Sequence, residues 1–464
     1  MTDLAQPTAL RSPRYLIATL VYSALMVSLV SSLGAPLVPT IAAARHVSLT
    51  DAQWVLTVTL IVGAVGTPLL GRLGDGGERR HVLIGGLAVV TLGLLVASAS
   101  STFAMLLVGR ALQGIGVGLV PLTFAIARQF IPADRLRSTI AILSVTAATG
   151  VGLGYYMTGL IADAFSYRVA FGVAAVLAAA ATFMAWAAVP SSIPERTVGV
   201  DWGGAAMLAI ALGTLLLALS EGDQWHWSSP SVLGLIAVAV VFGVAWVVFE
   251  HRLQHPLVEL KYLRVRNVFV ANVVAILLSF GMFIALTLVI RLVQTPASAG
   301  YGFHVSTATT GLLIMPLSIA TLVSSRAAVV IGRRFSQSAV MVTGALAVTV
   351  GMLLLALHRN HLGEVCVSMA LLGVGVGMTY AAMPALIMRA VPVEETGSAT
   401  GLNQTMRIVG GSLGSALGAT LLAAQTTPGS GLPRAHGFTL TFLIAAGVTF
   451  VAAVAATKVK EVAA

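Results

Sequence analysis

The sequence predicts an all-α integral membrane protein with fourteen transmembrane helices, grouped as six, two and six. Three observations lead there. Of 464 residues, 58% are hydrophobic and only 9% are charged, against about 25% charged in an ordinary globular chain. The apolar residues fall into runs of about 20, the length that crosses the hydrocarbon core as a helix. Those runs lack the two-residue alternation of an outer-membrane barrel, and a helix satisfies its own backbone polar groups in lipid.

The first run, from Tyr15 to about Val38, is too long for a secretory leader and lacks an A-x-A exit, so it reads as a spanning segment. The first six segments are expected near 16–38, 54–71, 82–99, 104–127, 138–162 and 168–188. A polar stretch, Ser191–Asp201, precedes two more near 203–220 and 231–249, and a charged loop, His251–Arg266, follows them. The last six lie near 268–290, 307–328, 337–356, 363–388, 398–423 and 437–457. The chain thus divides into an N-terminal six-helix bundle (1–190), a linker carrying two extra helices (191–266) and a C-terminal six-helix bundle (267–464). Two six-helix halves suggest an internal repeat related by a pseudo-twofold axis.

The net charge of +10 does not form one patch, so no nucleic-acid partner is expected. Of the 26 Lys and Arg, Arg110 and Arg407 fall in the core of segments, Arg326 at the inner end of its segment, and the rest are spread in or beside short loops. With the N-terminus inside, only Arg45, Arg168, Arg291, Arg359 and Arg434 face outward and nineteen face inward. That bias places both termini in the cytoplasm of a multi-pass inner or plasma membrane protein, provided the number of spans is even. The single cysteine, Cys366, excludes a disulfide framework within the chain. No metal-ligand cluster and no nucleophile–base pair is visible at membrane depth, so neither an enzyme nor a cofactor is expected. Trp54, Trp225 and Trp227 read as interfacial anchors.

Three motifs carry more. The loop Gly71-Arg-Leu-Gly-Asp75-Gly-Gly-Glu-Arg79-Arg80 sets one acid against a basic pair at a tight turn. It is either a conformational latch, with Asp75 held by arginines or by a helix N-terminus across the interface between the halves, or a plain topogenic loop. A degenerate echo, Gly332-Arg333-Arg334-Phe335, occupies the equivalent loop of the second half. In the fourth segment Arg110 stands more than a turn inside an apolar run, followed by Gln113, Gly114, Gly116 and Gly118. Such an arginine faces a polar cavity or a partner, or snorkels to an interface. The fifth segment reads Gly150-Val-Gly152-Leu-Gly154-Tyr155-Tyr156-Met-Thr158-Gly159, a pattern suited either to a flexing helix or to static close packing.

Together these stretches resemble the major facilitator superfamily: its loop motif, its fourth-helix arginine motif and its antiporter motif. Ser166-Tyr167-Arg168-Val-Ala-Phe171 follows where the family commonly has s-W-R-w-i-F. The resemblance extends to the fourteen-helix drug/proton antiporters, through Val200–Pro230 in the extra pair and Val391–Gly411 in the thirteenth segment. It implies the major facilitator fold, alternating access, a small amphipathic drug-like or lipid-like substrate, protons as the coupling ion and a monomer in the lipid bilayer. By the same analogy the cavity is lined by the first, fourth, fifth, ninth, tenth and twelfth segments, with Gln113, Tyr156, Asn403 and Gln404 as candidate residues.

The departures bear on mechanism. The family's first-helix acid is replaced by Val30, and the proline of its antiporter motif by Tyr155. All nine histidines fall in or beside loops, and the acids nearest the core are Asp163, Glu221 and Glu364. Proton antiport would therefore have to use Asp163 or Glu364 as carrier, because coupling needs a group whose protonation follows access. The core charges, Arg110 and Arg407, favour a neutral or anionic substrate over a lipophilic cation. The alternatives are an uncoupled or differently driven transporter, and a non-transporting sensor or assembly partner that retains the fold.

Overall fold

The computed structural model describes residues 13–47, 49–75, 78–191, 201–222, 224–253, 256–426 and 432–460. Helices α1 (Pro13–Ser32) and α2 (Gly34–Arg45) form the first span, α3 (Leu49–Asp75) the second and α4 (Arg79–Ala99) the third. The fourth span is α5 (Phe103–Gly114), a tight 3-10 turn (Ile115–Gly118) and α6 (Leu119–Phe130). Helices α7 (Ala133–Ala164) and α8 (Tyr167–Ala188) complete the first half. The inserted pair is α9 (Trp202–Glu221) and α10 (Pro230–Glu250). The second half is α11 (Arg266–Gln294), α12 (Thr307–Arg334), α13 (Gln337–Leu357), α14 (Leu362–Ala390), α15 (Thr396–Ala423) and α16 (Ala435–Ala456).

Thirteen of these spans are long and apolar enough to cross a bilayer, and the 32-residue α7 makes the fourteenth. Two predicted single helices are broken. In the first span Leu33 interrupts the helix, and Pro36, which has no amide hydrogen, cannot close the bond to Ser32. In the fourth, the glycine-rich run tightens into one 3-10 turn. Several helices also outrun their apolar cores: α3 continues through Arg72 to Asp75, whose carboxylate finds backbone amides at the membrane edge.

Helix starts follow local chemistry. Thr102, Ser166, Asp201, Ser229, Ser306 and Ser336 each accept the amide three residues on, from Met105, Val169, Gly204, Val232, Thr309 and Ala339. Each supplies an acceptor for a backbone donor that the first helical turn otherwise leaves unpaired.

The same packing recurs in both halves. The third and sixth spans of each half pair (α4 with α8, α13 with α16), as do the first and fifth (α1 with α7, α11 with α15). The third and fourth spans cross closely on glycine in both. A Cβ on Gly93 would stand 2.7 Å from the Gly109 carbonyl, and one on Gly344 2.9 Å from that of Gly375. The halves meet along two seams, α3 against α15 and α7 against α12. Helix α9 lies beside the α3–α15 seam, where the Thr57 and Ser220 hydroxyls are 2.7 Å apart. The outer face of α10 exposes Val240, Val241 and Val244, a surface that only hydrocarbon satisfies.

Candidate functional site

The end of the bundle where α1 begins and α16 finishes (the terminal end) carries the contacts that cross between the halves. Asp75, the last residue of α3, is buried there. Its two oxygens accept the amides of Gly397 at 2.8 Å and Ser398 at 3.0 Å, in the first turn of α15. Of the two partners the sequence left open for Asp75, an arginine or a helix N-terminus, these bonds are to the helix N-terminus, where the helix dipole favours an anion. Gly71 and Gly397 permit the approach. A Cβ on Gly397 would sit 2.6 Å from the Gly71 carbonyl and 2.7 Å from Asp75 Oδ1.

Arg79 braces the same corner. Its Nε donates to the Gly74 carbonyl at 2.9 Å, Nη1 to Gln129 at 2.7 Å and Nη2 to the Val393 carbonyl of the other half at 3.2 Å. Arg80, grouped with it in the sequence, turns away: it donates to Ser191 at 2.7 Å and to the Trp186 carbonyl at 2.8 Å, within its own half. The crossing cation that sequence reasoning missed is Arg128. It donates to the carbonyls of Val391 and Pro392 at 3.0 and 3.2 Å and to Thr396 Oγ1 at 2.7 Å. The available signal was its place at the end of α6, facing the Pro392-Val-Glu394-Glu395 helix start. Gly397→Ala is expected to bias the seam toward its open form by about 1–3 kcal/mol, the usual cost of overpacking. Reconstituted transport should slow while the thermal unfolding temperature holds.

Arg110 is fully buried inside the first half rather than in a space between the halves. Its Nε donates to the Val55 carbonyl at 2.9 Å, and Nη1 to the Val30 carbonyl at 3.2 Å and Gln113 Oε1 at 2.6 Å. Gln113 in turn donates to the Gly93 carbonyl at 3.1 Å, and the Phe171 ring lies 5.9 Å from the guanidinium. Of the readings open for Arg110, these bonds give it buried partners rather than a snorkelling side chain, and Gln113, a candidate cavity residue, is engaged by Arg110 and the Gly93 carbonyl within the first half. The break after α1 explains the geometry, because Gly34 leaves room for the guanidinium at a point where a Cβ would be 2.8 Å from Nη2. Backbone carbonyls, one of them from Val30, stand where the family's acid would.

In the second half, the Arg407 guanidinium lies 3.5 Å from the centre of the Tyr380 ring, and the Tyr380 hydroxyl is 2.8 Å from that of Ser279. The three come from α15, α14 and α11. Asn403, one turn before Arg407 on α15, is buried and donates to Asn272 at 3.1 Å. It ties α15 to α11 and is not free to line a cavity. Gln404 and Tyr156 are half-buried, on α15 and α7. Glu364 is a helix cap, not a group in the core: it accepts the amides of Asn360 and His361 at 2.7 and 3.2 Å at the start of α14.

Gly150 and Gly154 pack α7 onto α1, where a Cβ on Gly150 would be 3.2 Å from the Leu25 carbonyl and one on Gly154 3.1 Å from the Leu29 carbonyl. The side chains of Tyr155 and Asp163 and the surroundings of Gly159 lie outside the described residues, although all three positions are within α7. Every acid among the described residues lies in a loop or within a turn of a helix end.

The Major Facilitator Superfamily profile matches residues 20–324 and 268–463. The chain belongs to the major facilitator superfamily. It is 26% identical over 378 residues to multidrug resistance protein 3 of Bacillus subtilis, covering 81% of this chain and 72% of that one. It is 26% identical over 405 residues to the tetracenomycin C resistance and export protein of Streptomyces glaucescens, covering 86% and 74%. An uncharacterized MFS-type transporter of Mycobacterium tuberculosis is 29% identical over 428 residues; that match covers 88% of this chain but only 61% of the relative. The crystal structure of the human organic anion transporter MFSD10 superposes with a TM-score of 0.68 at 15% identity, covering 96% and 99% of the two chains. At that identity the likeness shows the superfamily fold. The protein is therefore a multi-pass membrane transporter of this superfamily.

Proposed function

We propose that the protein exports an amphipathic organic compound, neutral or anionic, by alternating access between two six-helix halves. The observation that carries alternating access is the Asp75 bridge to the α15 N-terminus. It joins positions 322 residues apart through bonds that vanish if that end opens, as a two-state element requires. The positive-inside bias assigns this closed end to the cytoplasm. Support for the substrate class comes from Arg407, stacked on Tyr380 with no acid beside it among the described residues. An anion or polar group entering between the halves would meet that cation. The drug-export names of the relatives fit an organic substrate.

Two pairs of spin labels test the motion, in a Cys366→Ser background. Arg135→Cys with Arg334→Cys reports the terminal end, and Thr40→Cys with Ser298→Cys the opposite end; all four sites are exposed. Substrate should lengthen one distance while shortening the other. A single unchanged distance at each end would instead support a static sensor that kept the fold. For the substrate class, Arg407→Gln should slow anion transport by about ten- to a hundredfold, the value of one charge-assisted contact, and leave a neutral compound unaffected.

Proton antiport is the second reading, favoured by the packing of α7 on α1 through Gly150 and Gly154, as the antiporter motif implies. Asp163 is its remaining candidate carrier. Against it stand Val30 in the acid's place, the capping role of Glu364 and the carbonyl-bound Arg110.

A further inference from the structure

The two seams differ where the repeat would make them alike. At the α3–α15 seam, Asp75 fills the corner between the end of one helix and the start of the other. The mate of that corner lies between the end of α12 and the start of α7. There the loop reads Gly332-Arg333-Arg334-Phe335 and supplies no acid. In its place is a cavity of about 270 Å³, bordered by Gly332, Gln337, Arg128, Arg137 and Arg389. Arg389 ends α14 just as Arg128 ends α6, yet the two have different fates. Arg128 is bonded to the other half. Arg137 and Arg389 are exposed and make no hydrogen bond or ion pair among the described residues. Asp134, three residues before Arg137, lies beside Arg135 at 3.7 Å, and the charge of Glu394 falls on Arg128. The remaining wall is apolar, including Ile140, Val329, Val340 and Met388.

We propose that this cavity binds an anionic phospholipid, its phosphate between Arg137 and Arg389 and the start of an acyl chain against the apolar wall. The phosphate would stand in the second seam where Asp75 stands in the first. A guanidinium pair suits a phosphate, and a basic pocket between spans at the cytoplasmic edge meets the leaflet that carries anionic lipid. Because α7 belongs to one half and α12 and α14 to the other, the bound lipid touches both. It therefore favours the closed terminal end over the open one and acts as a brake on opening.

The test is binding, so it is separate from the transport reading. Purified protein is presented with phosphatidylglycerol or phosphatidylcholine, and retained lipid is measured by native mass spectrometry. The wild type should retain phosphatidylglycerol over phosphatidylcholine. Arg137→Gln with Arg389→Gln should weaken that retention about thirty-fold, at roughly a kcal/mol for each charge. Arg137→Lys with Arg389→Lys should keep most of it. Lys458→Gln with Lys460→Gln, exposed at the same end, should leave it unchanged. Ala385→Phe keeps both arginines but fills the cavity, and should lose lipid as the double glutamine does; it serves if that variant is misfolded on gel filtration. Three results would overturn the proposal: equal loss in the Lys458/Lys460 variant, full retention in Ala385→Phe, or displacement of the lipid by inorganic phosphate at equal concentration.

Discussion

Asp75→Ala is expected to shift the terminal end strongly toward its open form. The substitution removes two charge-assisted bonds to backbone amides, each worth about 1.5–3 kcal/mol. It also leaves the first turn of α15 with two unpaired donors in a buried corner. A bias of about 3–6 kcal/mol on one of two states is enough to invert an ordinary conformational equilibrium. The distance between labels at positions 135 and 334 should lengthen without substrate, and the transport cycle should stall for want of a closed terminal state. Asp75→Asn, which keeps one acceptor oxygen, should fall between. Unchanged label distances in Asp75→Ala would mean that the corner is only a topogenic loop.

Arg110→Ala is expected to act on stability rather than on substrate. It leaves the Val55 and Val30 carbonyls and Gln113 Oε1 without their donor in a fully buried site. Stranding several buried polar groups costs about 3–5 kcal/mol, the range reserved for broken networks. Arg110→Lys should cost nearly as much. A single ammonium on a flexible stem does not reproduce a planar fork that bridges α1, α3 and its own helix. Thermal unfolding in detergent should show the loss, while the KM of whatever protein remains folded is unchanged. A raised KM with normal stability would put Arg110 in the substrate path instead.

Much of the fold was legible because lipid imposes one rule on every span. Length and apolarity located all fourteen, and charge asymmetry predicted their sidedness. What was not legible is where the spans break. Leu33 and the Ile115–Gly118 turn look apolar and continuous in the sequence, and their breaks follow from missing donors and close packing around Arg110. Side-chain direction was the other blind spot. Asp75 and Arg79 could be read as one corner because they flank a turn. Arg80 is adjacent to Arg79 yet faces α8, since neighbouring residues on a helix point about 100° apart. Gln113 and Asn403 were polar residues at membrane depth, which suggests a cavity. Each is instead spent inside its own bundle, on Arg110 and Asn272. Glu364 looked like an acid near the core until its capping box showed what it does.

The central claim is a carrier that moves a neutral or anionic amphiphile without a carboxylate in the middle of the membrane. Transport by the wild-type protein in sealed proteoliposomes tests it most directly, with a pH gradient imposed and then collapsed. A lipophilic anion, a neutral compound and a cationic dye are compared in the same vesicles. The expected result is transport of the anion or the neutral compound at a rate that survives collapse of the gradient, with little movement of the dye. Strict exchange of the cationic dye for protons, abolished by the collapse, would contradict the account.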